Sequence, residues 1–169
     1  MHSVTIVCGD PGAGKSTYAR GLAQQQNAAL LDLDTVSERL VRVGLTASGL
    51  DPDDRDSSRY KQMYREVIHD TLFAIAQENL PHVPVVIVAP FTKERLQASW
   101  LDQLSAQLGT RVHVVCVYCA PSERRQRIEA RKNPRDQAKL AAWSEFSKAE
   151  EGPRRPTFDH EWVDTTSQR

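Results

Sequence analysis

The chain has 169 residues, with 22 Lys or Arg against 22 Asp or Glu and a formal net charge of zero. That length suits one domain with a sizeable core, and the balanced charge speaks against a general affinity for nucleic acid or membrane surfaces while leaving local basic patches open. No apolar run nears the roughly 18 residues of a membrane span, no export leader precedes the first apolar run, and an odd set of three cysteines suits reduced thiols, so the expectation is a cytoplasmic protein.

Val4–Cys8 is apolar and predicts a first strand. It feeds Gly9-Asp10-Pro11-Gly12-Ala13-Gly14-Lys15-Ser16-Thr17, a full G-x-x-x-x-G-K-[ST] pattern, and Lys15–Gln26 reads as a helix directly after it. Backbone N–H groups can converge on phosphate oxygens only where no side chain intervenes, hence Gly9, Gly12 and Gly14. Lys15 would reach the β- and γ-phosphates and the Ser16 hydroxyl would ligate Mg²⁺. The helix would point its positive end at the anion. Residues Gly9 to Thr17 are thus the candidate site for a nucleoside triphosphate; the bland alternative is a glycine-rich turn with no ligand.

Ala28–Leu33 predicts a short second strand ending at Asp32-Leu33-Asp34. Ligands of open parallel sheets sit beyond the carboxyl ends of the strands, and alternate strand residues share a side. Asp32 and Asp34 should therefore face the phosphate loop together. Asp32 is the candidate Mg²⁺ ligand beside Ser16, and Asp34, further out, the candidate acceptor of a proton from an attacking hydroxyl. The alternative is that Asp34 only caps the next helix. That helix is predicted over Thr35–Val43, with Asp34 or Thr35 as N-cap, and is followed by a Gly-, Asp- and Ser-rich loop over Gly44–Ser58.

Arg59–Asn79 carries Met63, Val67, Ile68, Leu72, Ile75 and Ala76 at helical spacing. Val83–Ala89 is almost wholly apolar and β-branched, as in a strand covered on both faces. Lys93–Leu108 predicts an amphipathic helix closed by Gly109, and Arg111–Cys119 a fourth buried strand. Cys116 and Cys119 are expected to be buried thiols, because no second Cys/His pair has ligand spacing. Ser122–Lys132 and Arg135–Lys148 predict helices split by Asn133-Pro134, and Glu161–Asp164 a short last strand. Strands separated by helices imply an α/β fold with a doubly wound parallel sheet. Trp100, Trp143 and Trp162 are adequately explained by packing.

Pro121–Arg135 holds six basic residues against two acidic ones. Arg127 and Arg131 lie four apart, on one helix face. Such arginines can close over a triphosphate as a lid, neutralise growing charge and exclude water; the alternative is an ordinary solvated face.

The order GDPGAGKST, Asp-x-Asp, then R-x-x-x-R…PRD-x-x-K-L resembles the small phosphate-loop kinases over nearly the whole chain. These include shikimate and gluconate kinases, chloramphenicol phosphotransferase, zeta-toxin kinases and the kinase domain of polynucleotide kinase; the likeness is strongest to a bacterial AAA-like group among them. The resemblance implies a P-loop NTPase three-layer sandwich, with a five-stranded parallel sheet in the order 2-3-1-4-5 and a helical lid. It implies a single domain over 1–169, with a substrate flap at about 35–80 and a lid at about 121–148. ATP would be the donor, with Mg²⁺. Arg127, Arg131 and Arg135 would contact its phosphates, and Lys15, Asp34, Arg127 and Arg131 would carry catalysis.

Two residues depart from the pattern. Val88 stands where many relatives end strand three with an acid, which leaves the metal to Ser16 and the Asp32/Asp34 pair. Ser37 stands where the polynucleotide-kinase-like members carry an Arg, with Arg39 two residues on. Candidate acceptor contacts are Arg39, Arg42, Arg55, Arg59, Tyr60, Lys61, Tyr64 and Arg65. Phe91 and Thr92 would line the pocket, unless Phe91 packs under the next helix. The Asp51–Asp56 cluster is a solvated loop or an attraction for a cationic acceptor, and Gly152–Pro156 is a rigid turn that would flank adenine. Three functions remain open: a kinase acting on a small-molecule hydroxyl, a 5′-hydroxyl polynucleotide or nucleotide kinase, and a nucleotide-binding switch or weak ATPase. Nucleic acid is the less favoured partner, and the chain is expected as a monomer or homodimer.

Overall fold

The computed structural model describes residues 2–148 and 154–166. Five strands, β1 (Val4–Cys8), β2 (Ala29–Asp32), β3 (Val85–Val88), β4 (Val112–Tyr118) and β5 (Glu161–Asp164), pair in parallel in the order β2-β3-β1-β4-β5, as the resemblance implied. Helices α1 (Lys15–Gln26), α2 (Leu33–Ala47), α3 (Ser58–Asn79), α4 (Trp100–Leu108), α5 (Pro121–Ala130), α6 (Gln137–Ala141) and α7 (Trp143–Lys148) complete the described elements, with 3-10 turns at Glu94–Leu96 and Pro134–Asp136.

Strand side chains alternate between faces, which sorts the core into two halves. Val4, Ile6 and Cys8 of β1 join Val85, Ile87, Val114 and Cys116 under Leu72 and Phe73 of α3 and Leu104 of α4. Val7 joins Val86, Val88, Val115 and Val117 under Ala19 and Ala23 of α1. Every residue of β1 and β3 is buried. The continuous apolar runs of these strands follow from having both faces covered.

Several boundaries differ from the sequence expectation, each for a local reason. Asp32, and neither Asp34 nor Thr35, is the N-cap of α2: its carboxylate accepts from the Asp34 N–H at 3.0 Å, so the helix takes Leu33 from the expected strand. The same helix runs on to Ala47 through Gly44, which here serves close packing: a Cβ would lie 2.3 Å from the Tyr64 hydroxyl of α3. Ser57 caps α3, accepting from the Tyr60 N–H at 3.0 Å. Val83 N–H donates to Asn79, closing the end of α3, and β3 starts only at Val85. The expected helix over Lys93–Leu108 is broken: Gln97 is extended after the 3-10 turn, and α4 begins at Trp100. The Arg135–Lys148 helix is likewise divided, with Asn133 accepting from the Arg135 N–H at 3.1 Å ahead of the Pro134 turn. No helix among the described residues is long and apolar enough to cross a membrane.

Candidate functional site

At the end of β1 the chain turns into α1 through a loop that other side chains could not build. Gly9 has φ 142°, and a Cβ there would sit 2.1 Å from the Val117 carbonyl oxygen. Gly14, at φ 90°, precedes α1 with no side-chain cap, so the first helical N–H groups stay open to an anion. Lys15 Nζ donates to the Asp10 carbonyl at 2.9 Å. Burial pushes its ammonium down from 10.5 to about 8, with the charges of Asp10 and Asp34 working the other way. Ser16 Oγ donates to Asp32 Oδ2 at 2.7 Å. One hydroxyl and one carboxylate beside a phosphate cradle form the hard-oxygen set that Mg²⁺ takes when substrate phosphates and water complete its shell. The residues present therefore fit the metal.

Asp34, in the first turn of α2, accepts from Arg135 at 3.1 and 3.2 Å, and the same guanidinium donates to Glu38 at 2.7 Å. Burial raises the pKa of Asp34, but the bonds and charge of Arg135, with Lys15, outweigh it and hold the carboxyl below its usual range. Arg135, which the resemblance assigns to phosphate contact, thus lies on the α2 carboxylates, because it follows the Asn133-Pro134 break. Lys139 reaches Asp56 at 3.0 Å, a second bond from this region to the segment before α3.

The other lid arginines separate. Arg127 donates to Thr165 Oγ1 at 3.0 Å and to its carbonyl at 2.7 Å, beside Gly14. Arg131 grips Asp136 with two bonds, at 2.5 and 2.7 Å. Both line the same cavity as Arg135. Arg124 instead points inward, 2% exposed, and donates to the Pro11 carbonyl at 2.9 Å. Arg125 pairs with Glu129 on the surface.

A cavity of about 590 Å³ runs from the loop past Asp32 and Asp34 to α3. Of the acceptor candidates, Arg55, Tyr60, Lys61 and Arg65 line it. Arg42 instead pairs with Asp53, and Tyr64 packs on Gly44. Thr92 and Phe91 both border it, and Phe91 is also buried, its ring 4.9 Å from His69 and 5.0 Å from Trp100. Val88 lines the cavity with no acid in its place. The acidic loop is mostly self-bonded: Asp51 accepts from the Asp53 N–H, and Asp54 from Asp56 and Ser57. Cys8 and Cys116 are register partners with sulfurs 3.2 Å apart, and all three cysteines are free and buried. In the 152–156 turn, Gly152 and Pro153 lie outside the described residues, while Arg155 stacks over Trp162 at 4.3 Å.

Sequence reasoning missed Arg95, Thr165 and Asp136. Arg95 falls within the expected Lys93–Leu108 helix without any signal of its own, yet it is 4% exposed and bonds Asp10 Oδ1 at 2.6 Å. Thr165 sits past β5, donates to the Ala13 carbonyl at 2.8 Å and so ties the sheet edge to the loop. Only the lone acid Asp10 within the glycine pattern hinted that a cation must come from elsewhere.

The sequence profile of a family described as an AAA domain matches residues 4–153. A shikimate kinase of Thermobifida fusca is 36% identical over 69 residues, which cover 41% of this chain and 38% of the relative; the match thus spans well under half of the curated relative's length. Among solved structures, a Chloroflexus aurantiacus protein superposes with TM-score 0.69 at 18% identity, over 98% of this chain and 89% of its own. A gluconokinase of Sinorhizobium meliloti does so with TM-score 0.58 at 17% identity, over 99% and 84%. At such identities the structural likeness speaks for the fold.

Proposed function

This chain belongs to the AAA-domain family, and from that premise we propose that it moves the γ-phosphoryl group of ATP to a hydroxyl of a small molecule. One juxtaposition carries the reading: an ionised carboxylate, Asp34, stands in the same cavity as the Lys15–Ser16–Asp32 phosphate cradle. A 69-residue stretch that is 36% identical to a relative described as a shikimate kinase supports it, as does a solved structure of the same fold described as a gluconokinase.

ATP is the donor substrate. The amides around Gly9–Thr17 would hold its phosphates, and Lys15 would exchange the Asp10 carbonyl for a phosphate oxygen. Ser16 and Asp32 would hold Mg²⁺, which when bound neutralises charge on the phosphates. The acceptor oxygen would form its bond to the γ-phosphorus as the bond to the bridging oxygen breaks, ADP leaving in line. Its proton would pass to Asp34 and then to solvent. A carboxylate held acidic by Arg135 is a weak base, so the main work of Asp34 is to orient the hydroxyl, as suits a loose transition state. Arg127 and Arg131 would turn from Thr165 and Asp136 toward the phosphates and stabilise the spread charge.

The test is mass spectrometry of mixed hydroxyl compounds incubated with protein and Mg-ATP: sugars, nucleosides, aminoglycosides and short 5′-hydroxyl oligonucleotides. A small compound heavier by one phosphoryl group is the expected result, slowed about 100-fold or more by Asp34→Asn. Labelling of the oligonucleotide alone would replace this reading with a polynucleotide kinase, and ATP consumed with no labelled species would sink transfer altogether.

A further inference from the structure

Asp10 is an acid inside a loop shaped for polyphosphate, and buried cations surround it. Arg95 Nη2 donates to Asp10 Oδ1 at 2.6 Å. Arg124 Nη1 stands 3.6 Å from Oδ2 while its Nε is bonded to the Pro11 carbonyl, so it shares itself with the backbone. The carbonyl of Asp10 is the group that receives Lys15 Nζ. One residue thus joins the loop's lysine to a buried arginine.

Arg95 is poorly explained as a core residue. Its Nε is buried without a hydrogen-bond partner among the described residues, and burying a guanidinium with an unmet N–H is costly. The turn that carries it is nonetheless firmly fixed. Arg95 N–H donates to Phe91 at 3.0 Å, Gly9 N–H donates to Pro90 at 3.4 Å, and Glu94 holds Arg65 of α3 by two bonds at 2.9 Å.

We infer that Arg95 is a positioning residue for the nucleotide site: acting through Asp10, it cancels that carboxylate's charge and holds the loop in the shape that presents its amides and Lys15 to phosphate. The inference rests on reading Gly9–Thr17 as a nucleotide site. Without Arg95, Asp10 would keep only the longer 3.6 Å pairing with Arg124, which is also bonded to the backbone, and the charge left uncancelled would repel the ligand. Removing both charges would remove the repulsion, which a merely structural arginine would not predict.

Isothermal titration with Mg-ADP tests this on the full chain and three variants. Arg95→Met should raise Kd by at least about tenfold, and adding Asp10→Asn to it should bring Kd back down by at least about threefold. An unchanged Kd in Arg95→Met, or a double variant as weak as the single one, overturns the inference. If Arg95→Met shows no cooperative thermal transition, Arg95→Lys decides. Binding weakened by less than about threefold supports the charge lock, and a tenfold loss despite the retained cation overturns it. A parent chain that fails to bind Mg-ADP would overturn the nucleotide-site reading, and the inference with it.

Discussion

At the residue scale, the ionisation of Lys15 links structure to a measurable property. Burial lowers its ammonium to about 8, so the charged form is present below that pH and is lost as pH rises through it. A phosphate ligand needs the charge and would pull the proton back. Mg-ADP binding should therefore weaken above pH 8, approaching about tenfold per pH unit, and should take up close to one proton at pH 9. Titrations in buffers of different ionisation enthalpy read that uptake directly; binding without uptake would show Lys15 to be off the phosphates. Lys15, Ser16 and Asp32 were legible in the chain because each stands at a motif position or a strand end. Arg95 was not, since its partner lies 85 residues away across the sheet.

At the scale of elements, the side of the cavity proposed for the acceptor depends on how α3 is seated. Leu72 is fully buried against the sheet in the larger core half, one turn past His69, and Arg65 lies a further turn back along the same helix. Leu72→Ala should cost about 2–5 kcal/mol in denaturant unfolding, because the cavity it leaves is walled by strands that cannot collapse. A loss under about 1 kcal/mol would mean that α3 resettles freely. Helical periodicity was enough to place α3 within one residue. It failed for Lys93–Leu108, where a 3-10 turn carries Arg95 inward to Asp10, Gln97 is extended and α4 starts only at Trp100. It failed as well at the lid, where one expected helix becomes a turn and two short helices.

For the whole molecule, the loop is tied to three distant parts of the chain: Arg95 after β3, Arg124 in α5 and Thr165 after β5. A ligand filling such a loop should stabilise the entire fold. At a hundred times its Kd, Mg-ADP adds about 2.7 kcal/mol, or about 5–10 °C in Tm for a chain of this size. Differential scanning calorimetry of the parent and of Lys15→Ala checks this, with the shift expected to disappear in the variant. An equal shift in both would place the nucleotide elsewhere.

The phosphate loop, the parallel sheet and the paired aspartates could be read from linear order, because each is written in local chemistry: glycines at fixed offsets, apolar runs covered on both faces, an acid at a strand end. Which arginines turn inward, which carboxylate caps α2 and which meets Arg135, and how the loop's own acid is neutralised were decided only on folding. Those outcomes depend on pairs such as Asp34–Arg135 and Asp10–Arg95, whose members are far apart in the chain and meet only across the completed sheet. Burial then gives their charges energies that no local pattern carries.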